Sequence, residues 1–180
     1  MDALQAMADR VSYRGRFLAD PVPREDLRAM VRAGLSAPSG CNKQTTSILA
    51  VDDPAVLEKL FALLDHRSFP SAPAMLCVLT RRILAYRDRC YSMQDYSAAI
   101  ENLLLAVTAL GYATCWLEGH ITDADAIGRR MADVLHVPAE YELVCVLPLG
   151  RPAEEPIRVK KLPFAERAFL NDFSEHFDGV

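Results

Sequence analysis

Between residues 92 and 114 the chain reads SMQDYSAAIENLLLAVTALGYAT, with apolar side chains at Tyr96, Ala99, Ile100, Leu103, Leu104, Val107 and Leu110. That i, i+3, i+4 spacing predicts one face of a helix. Ala98, Leu105, Ala106 and Ala109 make the opposite face apolar as well. A soluble helix that is apolar nearly all round is expected to be buried on both sides. Ser92 followed by Asp95 reads as an N-terminal capping pair, and Gly111 suits the C-terminal end. Glu101 and Asn102 break the apolar run too early for a membrane span, which needs about 20 apolar residues. One face should meet this chain's own sheet and the other a second copy; a central helix of a monomer is the alternative.

The remaining pattern fills in around that helix. Residues 2–9 predict a short helix, and a second starts after Pro21-Val-Pro with Leu27, Met30, Val31 and Leu35 as its buried stripe. Residues 48–51 predict a strand, 54–64 an amphipathic helix and 74–79 a fully apolar strand. Past the central helix, 113–117 reads as a strand, 122–135 as a helix capped by the Thr122–Asp125 stretch, and 141–149 as a core strand. Residues 164–173 are weakly amphipathic. No repeat, linker or low-complexity tract interrupts the order, so residues 1–180 are expected to form one α+β domain.

Composition narrows the class. A chain of 180 residues with 51% hydrophobic and 24% charged side chains has enough apolar material for one full core. A net charge of −4 argues against a general nucleic-acid binder, which needs excess Lys and Arg to neutralise phosphates. The opening MDALQAMADR is charged and amphipathic, without the apolar core of a signal peptide. Five scattered cysteines without a CxxC pair read as reduced thiols, and a cytoplasmic location is the expectation.

Four stretches could carry chemistry. In Arg10-Val-Ser-Tyr-Arg14, an extended backbone would place Arg10, Ser12 and Arg14 on one side. Two guanidiniums and a hydroxyl so arranged make a phosphate clamp, or else a basic surface edge. In residues 37–44, Pro38 and Gly40 forbid regular structure, leaving Ser39, Asn42 and Gln44 on a loop, functional or merely connecting. Residues 81–91 hold Arg81, Arg82, Arg87 and Arg89, a solvated face or the rim of an anion-attracting pocket. The strand at 113–117 runs directly into Glu118, Gly119 and His120. No GxSxG or HExxH occurs, the four histidines have no metal-ligand spacing, and no histidine is placed to activate Cys41.

Taken together, these stretches resemble the FMN-dependent nitroreductases over nearly the whole chain. The resemblance rests on Arg10, Ser12 and Arg14, on Ala37-Pro-Ser with Asn42 and Gln44, and on Asp95 with the helix from Ala98 to Ala106. It continues through Leu110–Trp116, Glu118-Gly119, Leu147–Pro156 and Lys161. It implies a three-layer sandwich with a mixed central sheet flanked by helices, the long central helix lying at a homodimer interface. It also implies an oxidoreductase passing hydride from NADH or NADPH through flavin N5 to a small planar acceptor, a nitroaromatic or quinone, by a ping-pong scheme. A flavin-binding protein without turnover, or a flavin-fragmenting or dehalogenating relative, are the alternatives. Arg10, Ser12, Arg14, Lys160 and Lys161 would hold the FMN phosphate. Pro38, Ser39, Asn42 and Gln44 would approach the flavin, partly from the neighbouring subunit, and the backbone of Glu118 and Gly119 would lie near N5. Arg87 and Arg89 would border the substrate. The chain departs from the family where Thr45 and Thr46 replace a common Pro-Trp. It also lacks the usual ribityl-chain residues between Asp65 and Ser71, where only His66 and Arg67 could substitute.

Overall fold

The computed structural model describes residues 1–64, 69–118, 121 and 126–177. Its main elements run α1 (Ala3–Asp9), α2 (Arg24–Leu35), β1 (Thr46–Val51), α3 (Pro54–Phe61), β2 (Ala74–Thr80), α4 (Ser92–Ala109), β3 (Ala113–Thr114), α5 (Ile127–Val134) and β4 (Glu142–Gly150). All seven residues of β2 are buried, as a strand covered on both faces must be. The sheet has the order β1-β2-β4-β3. Each of its pairings is antiparallel, which corrects the expected mixed sheet: among the described strands no parallel pair occurs. Strand direction depends on how the connecting helices return the chain, and apolar runs look the same in either direction.

Alternation along β2 divides the core in two. Ala74, Leu76 and Val78 join Tyr96, Ile100, Leu103 and Met30 on the face covered by α2 and α4. Met75, Cys77 and Leu79 join Leu57, Phe61, Ile127 and Met131 on the face covered by α3 and α5. Helices, sheet and helices thus form the expected three layers. A β-bulge falls where Val78 pairs with Cys145 but Leu79 pairs with Leu143, leaving Val144 as the extra residue. Val144 and Cys145 then both face α2 and α4.

α4 ends where its sequence suggested: Gly111 takes a left-handed φ of 79°, a conformation glycine adopts without strain. Its beginning differs. Tyr91 flanks the first turn and no side-chain cap bond forms there, so Ser92 and Asp95 are not a capping pair. Tyr96, Ala99, Ile100, Leu103, Leu104 and Val107 are buried, while Leu110, expected on the same face, is 38% exposed at the helix end. On the other face Ala98, Leu105 and Ala106 are half-buried and Ala109 is exposed. Asn102 explains itself there, donating to the carbonyl of Ala33 (3.1 Å) and tying α4 to α2. In α2, Leu27 and Met30 are buried as expected, but Leu35 is 53% exposed. Short helices carry legible caps: Asp2 accepts from Gln5 N, and Asp53 from Ala55 N and Val56 N, with Pro54 at the first helical position. The tail is not helical: it makes a short 3-10 turn at Phe164–Glu166 and an isolated antiparallel bridge between Phe169 and His176. Among the described residues no helix is long and apolar enough to cross a membrane.

Candidate functional site

Residues 10–17 lie along the edge of the sheet. Tyr13 N donates to Thr114 O (2.8 Å), Leu18 N to Arg151 O (2.9 Å) and Ala153 N to Arg16 O (2.9 Å). Tyr13 is buried against Phe17, ring centroids 5.1 Å apart, and its hydroxyl donates to Arg16 O. Burying Tyr13 turns the alternate positions outward, so Ser12 and Arg14 are exposed and Arg10 half-buried. Arg14 lies close enough to Cys115 for its charge to act on that thiol. Burial pushes the thiol up to about 11, and Arg14 partly opposes the shift. The tail returns to the same edge. Arg158 donates to Ala8 O (3.0 Å) and to Asp9 Oδ1 (2.6 Å), at the end of α1 and next to Arg10. Lys160 and Lys161 follow within the reach of two or three residues, at most about 11 Å of extended chain. Among the described residues, Arg10, Arg14, Lys160 and Lys161 form no salt bridge. Cations left without an acidic partner are suited to an anionic ligand.

The 37–45 loop covers a second feature. Pro38, Ser39 and Gln44 line a cavity of about 390 Å³ together with Thr46, Asp95 and Ala99. Asn42 is exposed and is not part of that wall. Ser39 Oγ accepts from Gln44 N (2.9 Å), and Cys41, Asn42 and Gln44 all have left-handed φ between 48° and 54°. The loop is held from outside by Asp95, whose Oδ1 accepts from Gly40 N (2.7 Å) and whose Oδ2 accepts from the Thr45 hydroxyl (2.7 Å). Thr46 Oγ1 is buried without a hydrogen-bond partner among the described residues, a polar atom still to be satisfied. Sequence reasoning missed Asp95 and Thr45 as supports of the loop. The available signal was an acidic residue inside an otherwise apolar helix face.

Glu118 stands at the end of the strand that continues β3 through the Leu117–Val146 bridge. Its carboxylate accepts from Tyr96 Oη (2.8 Å) and from Trp116 Nε1 (2.8 Å). Burial, reinforced by that carboxylate, pushes the Tyr96 hydroxyl well above the ordinary phenol range, so it stays a proton donor to Glu118. Tyr96 and Glu118 line a cavity of about 560 Å³ between α4, α5 and the start of β4. Gly119 and His120, like His66, Arg67 and the Thr122–Asp125 cap, lie outside the described residues.

The arginine-rich segment divides. Arg82 makes a two-pronged pair with Glu142 (2.7 and 2.9 Å) at the wall of the larger cavity, and Arg81 lies over the Tyr141 ring at 5.3 Å. Arg87 and Arg89 sit on an exposed hairpin closed by the Leu84–Cys90 bridge, with Arg87 over the Tyr86 ring at 5.0 Å. Neither lines either cavity. Of the expected site residues the structure therefore places Arg10, Ser12 and Arg14 along the sheet edge, Pro38, Ser39 and Gln44 at the loop cavity and Glu118 at the larger cavity, while Asn42, Arg87 and Arg89 line neither cavity. The two cavities have no wall residue in common, and the first turns of α4 lie between them. Among the described residues no cluster of His, Cys, Asp and Glu could hold a metal ion.

Comparison with known proteins gives the family. The profile of the Nitroreductase family matches residues 7–67 and 60–151. An Archaeoglobus fulgidus protein named as a candidate NADH dehydrogenase/NAD(P)H nitroreductase is 29% identical over 144 residues, covering 79% of each chain. The FMN reductase (NAD(P)H) of Bacillus subtilis is 24% identical over 176 residues, 90% of this chain and 70% of its own. The crystal structure of a Bacteroides fragilis nitroreductase with bound FMN is similar at a TM-score of 0.76 and 25% identity, over 96% of this chain and 100% of that one. On this match the chain belongs to the Nitroreductase family.

Proposed function

We propose that this chain is an FMN-dependent oxidoreductase that passes hydride from NADH or NADPH to a small planar acceptor, a nitroaromatic or a quinone. The observation that carries the reading is the sheet edge where Arg10 and Arg14 form no salt bridge among the described residues, with the tail tied beside Arg10 by Arg158 just ahead of Lys160 and Lys161, in a chain of this family. The donor set fits FMN: guanidiniums able to donate in pairs, an exposed hydroxyl at Ser12 and two ammonium groups for the phosphate. The unsatisfied Thr46 hydroxyl and the backbone of the 38–44 loop fit the polar edge of the ring system. When bound, FMN supplies a two-electron carrier, so the chain needs no acid–base dyad of its own.

The residues of this chain would do the rest. Arg10, Ser12, Arg14, Lys160 and Lys161 would anchor the phosphate; Pro38, Ser39 and Gln44 would bound the ring side, with Asn42 outside the wall of that cavity; the backbone from Glu118 onward would meet its N5 edge. Tyr96 and Trp116 hold the Glu118 side chain by hydrogen bonds, which steadies that strand end. The loop and Glu118 border different cavities and the arginines lie on an exposed edge, which favours a cofactor shared between two copies. The half-buried Ala98 and Leu105 on the other face of α4 support its use as the contact of a homodimer.

The purified protein should be yellow with about one FMN per chain, and should oxidise NADH or NADPH steadily once a quinone is added. If one flavin face serves both substrates, nicotinamide must leave before the acceptor stacks, and initial-rate plots should be parallel. Intersecting plots would remove the shared-face scheme. Bound FMN without turnover on any nitroaromatic or quinone would leave the flavin-binding, flavin-fragmenting and dehalogenating alternatives, which the products formed when reduced FMN meets oxygen would separate.

A further inference from the structure

We infer that Asp95 is a positioning residue for the flavin loop: its buried carboxylate holds residues 40 and 45 against α4 and so sets where Pro38, Ser39 and Gln44 stand. The inference rests on the FMN reading above. Asp95 is 4% exposed and forms no salt bridge among the described residues. A buried carboxylate with no cation is costly unless its oxygens are well bonded. Here both are, at 2.7 Å each, and both bonds go to the loop rather than to the amides of its own helix. The positive end of α4 adds to the stabilisation, since Asp95 lies in its first turn.

Three further observations show why the loop needs an outside anchor. Cys41, Asn42 and Gln44 all take left-handed backbone, which side-chain-bearing residues disfavour, so the loop's own preferences oppose its shape. Gly40 presses on the helix start: a Cβ there would lie 2.8 Å from Tyr91 Cβ, so only glycine lets this N–H reach Asp95. Thr45, 1% exposed, extends the chain of contacts, because its carbonyl accepts from Arg81 N (3.0 Å) at the end of β2. One carboxylate thus ties the loop to α4 and, through Thr45, to the root of the arginine hairpin.

The test compares Asp95→Ala, Asp95→Asn and Thr45→Val with the unaltered protein. Affinities for FMN and riboflavin are measured by fluorescence quenching, alongside the visible spectrum of bound flavin and the melting temperature. Asp95→Ala should weaken FMN and riboflavin alike, by about tenfold or more, since small misplacements of positioning groups are costly. Asp95→Asn should recover both to within about threefold of the unaltered protein: its oxygen can face Gly40 N–H and its amide the Thr45 hydroxyl, which accepts as well as donates. Thr45→Val, losing one bond of two, should fall between. Should Asp95→Ala fail to fold, Thr45→Val carries the test by itself.

Unchanged affinity for both flavins in folded Asp95→Ala, or in Thr45→Val, overturns the proposal. So does a loss confined to FMN, which would locate the effect at the phosphate. An Asp95→Asn protein of normal melting temperature that binds flavin no better than Asp95→Ala also overturns it. If the unaltered protein binds neither flavin, the FMN reading falls and takes this one with it. If it binds both and only the variants behave otherwise, the positioning role alone is lost.

Discussion

Replacing Arg10 and Arg14 together by alanine separates the phosphate from the rest of the cofactor. Neither guanidinium forms a salt bridge among the described residues, and Arg10 caps α1 only through its backbone N–H to Ala6 O. The fold should therefore lose little, and the melting temperature should move by no more than about 2–4 °C, the shift that about 1 kcal/mol produces in a domain of this size. A hydrogen bond to a charged group contributes about 1.5–3 kcal/mol. Ser12 and Arg14 are exposed to water, and Lys160 and Lys161 remain, so the lower figure applies to each arginine. Two such losses amount to about 3 kcal/mol, or roughly a hundredfold in dissociation constant at 1.4 kcal/mol per tenfold. Riboflavin has no phosphate and should bind within about threefold of its original affinity. The ratio of the two constants, from fluorescence titrations at low ionic strength and near 1 M salt, is the readout. In the unaltered protein the preference for FMN should shrink at the higher salt, where the screening length falls to about 3 Å. Equal weakening of FMN and riboflavin would refute the phosphate assignment.

Leu104→Asp would place an unpaired carboxylate at a position only 5% exposed, costing several kcal/mol; a soluble variant melting like the original would show that this part of α4 is not core. Arg87→Ala with Arg89→Ala should raise KM for the nucleotide or an anionic acceptor at low salt without changing bound FMN, and unchanged kinetics would leave the hairpin a solvated surface. Of the five cysteines, exposed Cys41 and Cys90 should alkylate in the native protein near pH 8. Cys77, whose burial pushes it up to about 12, and buried Cys115 and Cys145 should react only on unfolding. Cys90 should react faster than an ordinary thiol, because hydrogen bonding to Ser92 lowers its pKa and leaves more thiolate at that pH. More than two thiols titrated before unfolding would contradict the burial.

What could be read from the chain alone was whatever depends on local periodicity. The apolar run of β2, the buried stripe of α4 and the glycine ending that helix all follow from neighbours within a turn or a pleat. Strand direction did not follow, because it is decided by connections between elements. Asp95 shows a subtler limit. An acid three residues after a serine at a helix start has the letters of a capping pair, yet its oxygens turn to a loop about 50 residues away in sequence. The alternation of Arg10, Ser12 and Arg14 was legible because Tyr13, the residue between, is bulky enough to choose the inside. That the tail returns to the same edge required the pairing of Arg158 with Asp9, two residues separated by most of the chain.

The bulge at Val144 has a bearing on how the length of this protein can vary. Deleting one residue from a buried strand ordinarily exchanges inside for outside over everything beyond the cut. Here the surplus residue is already present, and its removal would leave Leu143 opposite Leu79 and Glu142 opposite Thr80, as they are now. Glu142 would still be within the strand that offers it to Arg82 at the wall of the larger cavity. The centre of the sheet thus contains one position where a codon could be gained or lost without scrambling the two cores. Relatives of this chain could differ in length there while keeping the same inner and outer faces.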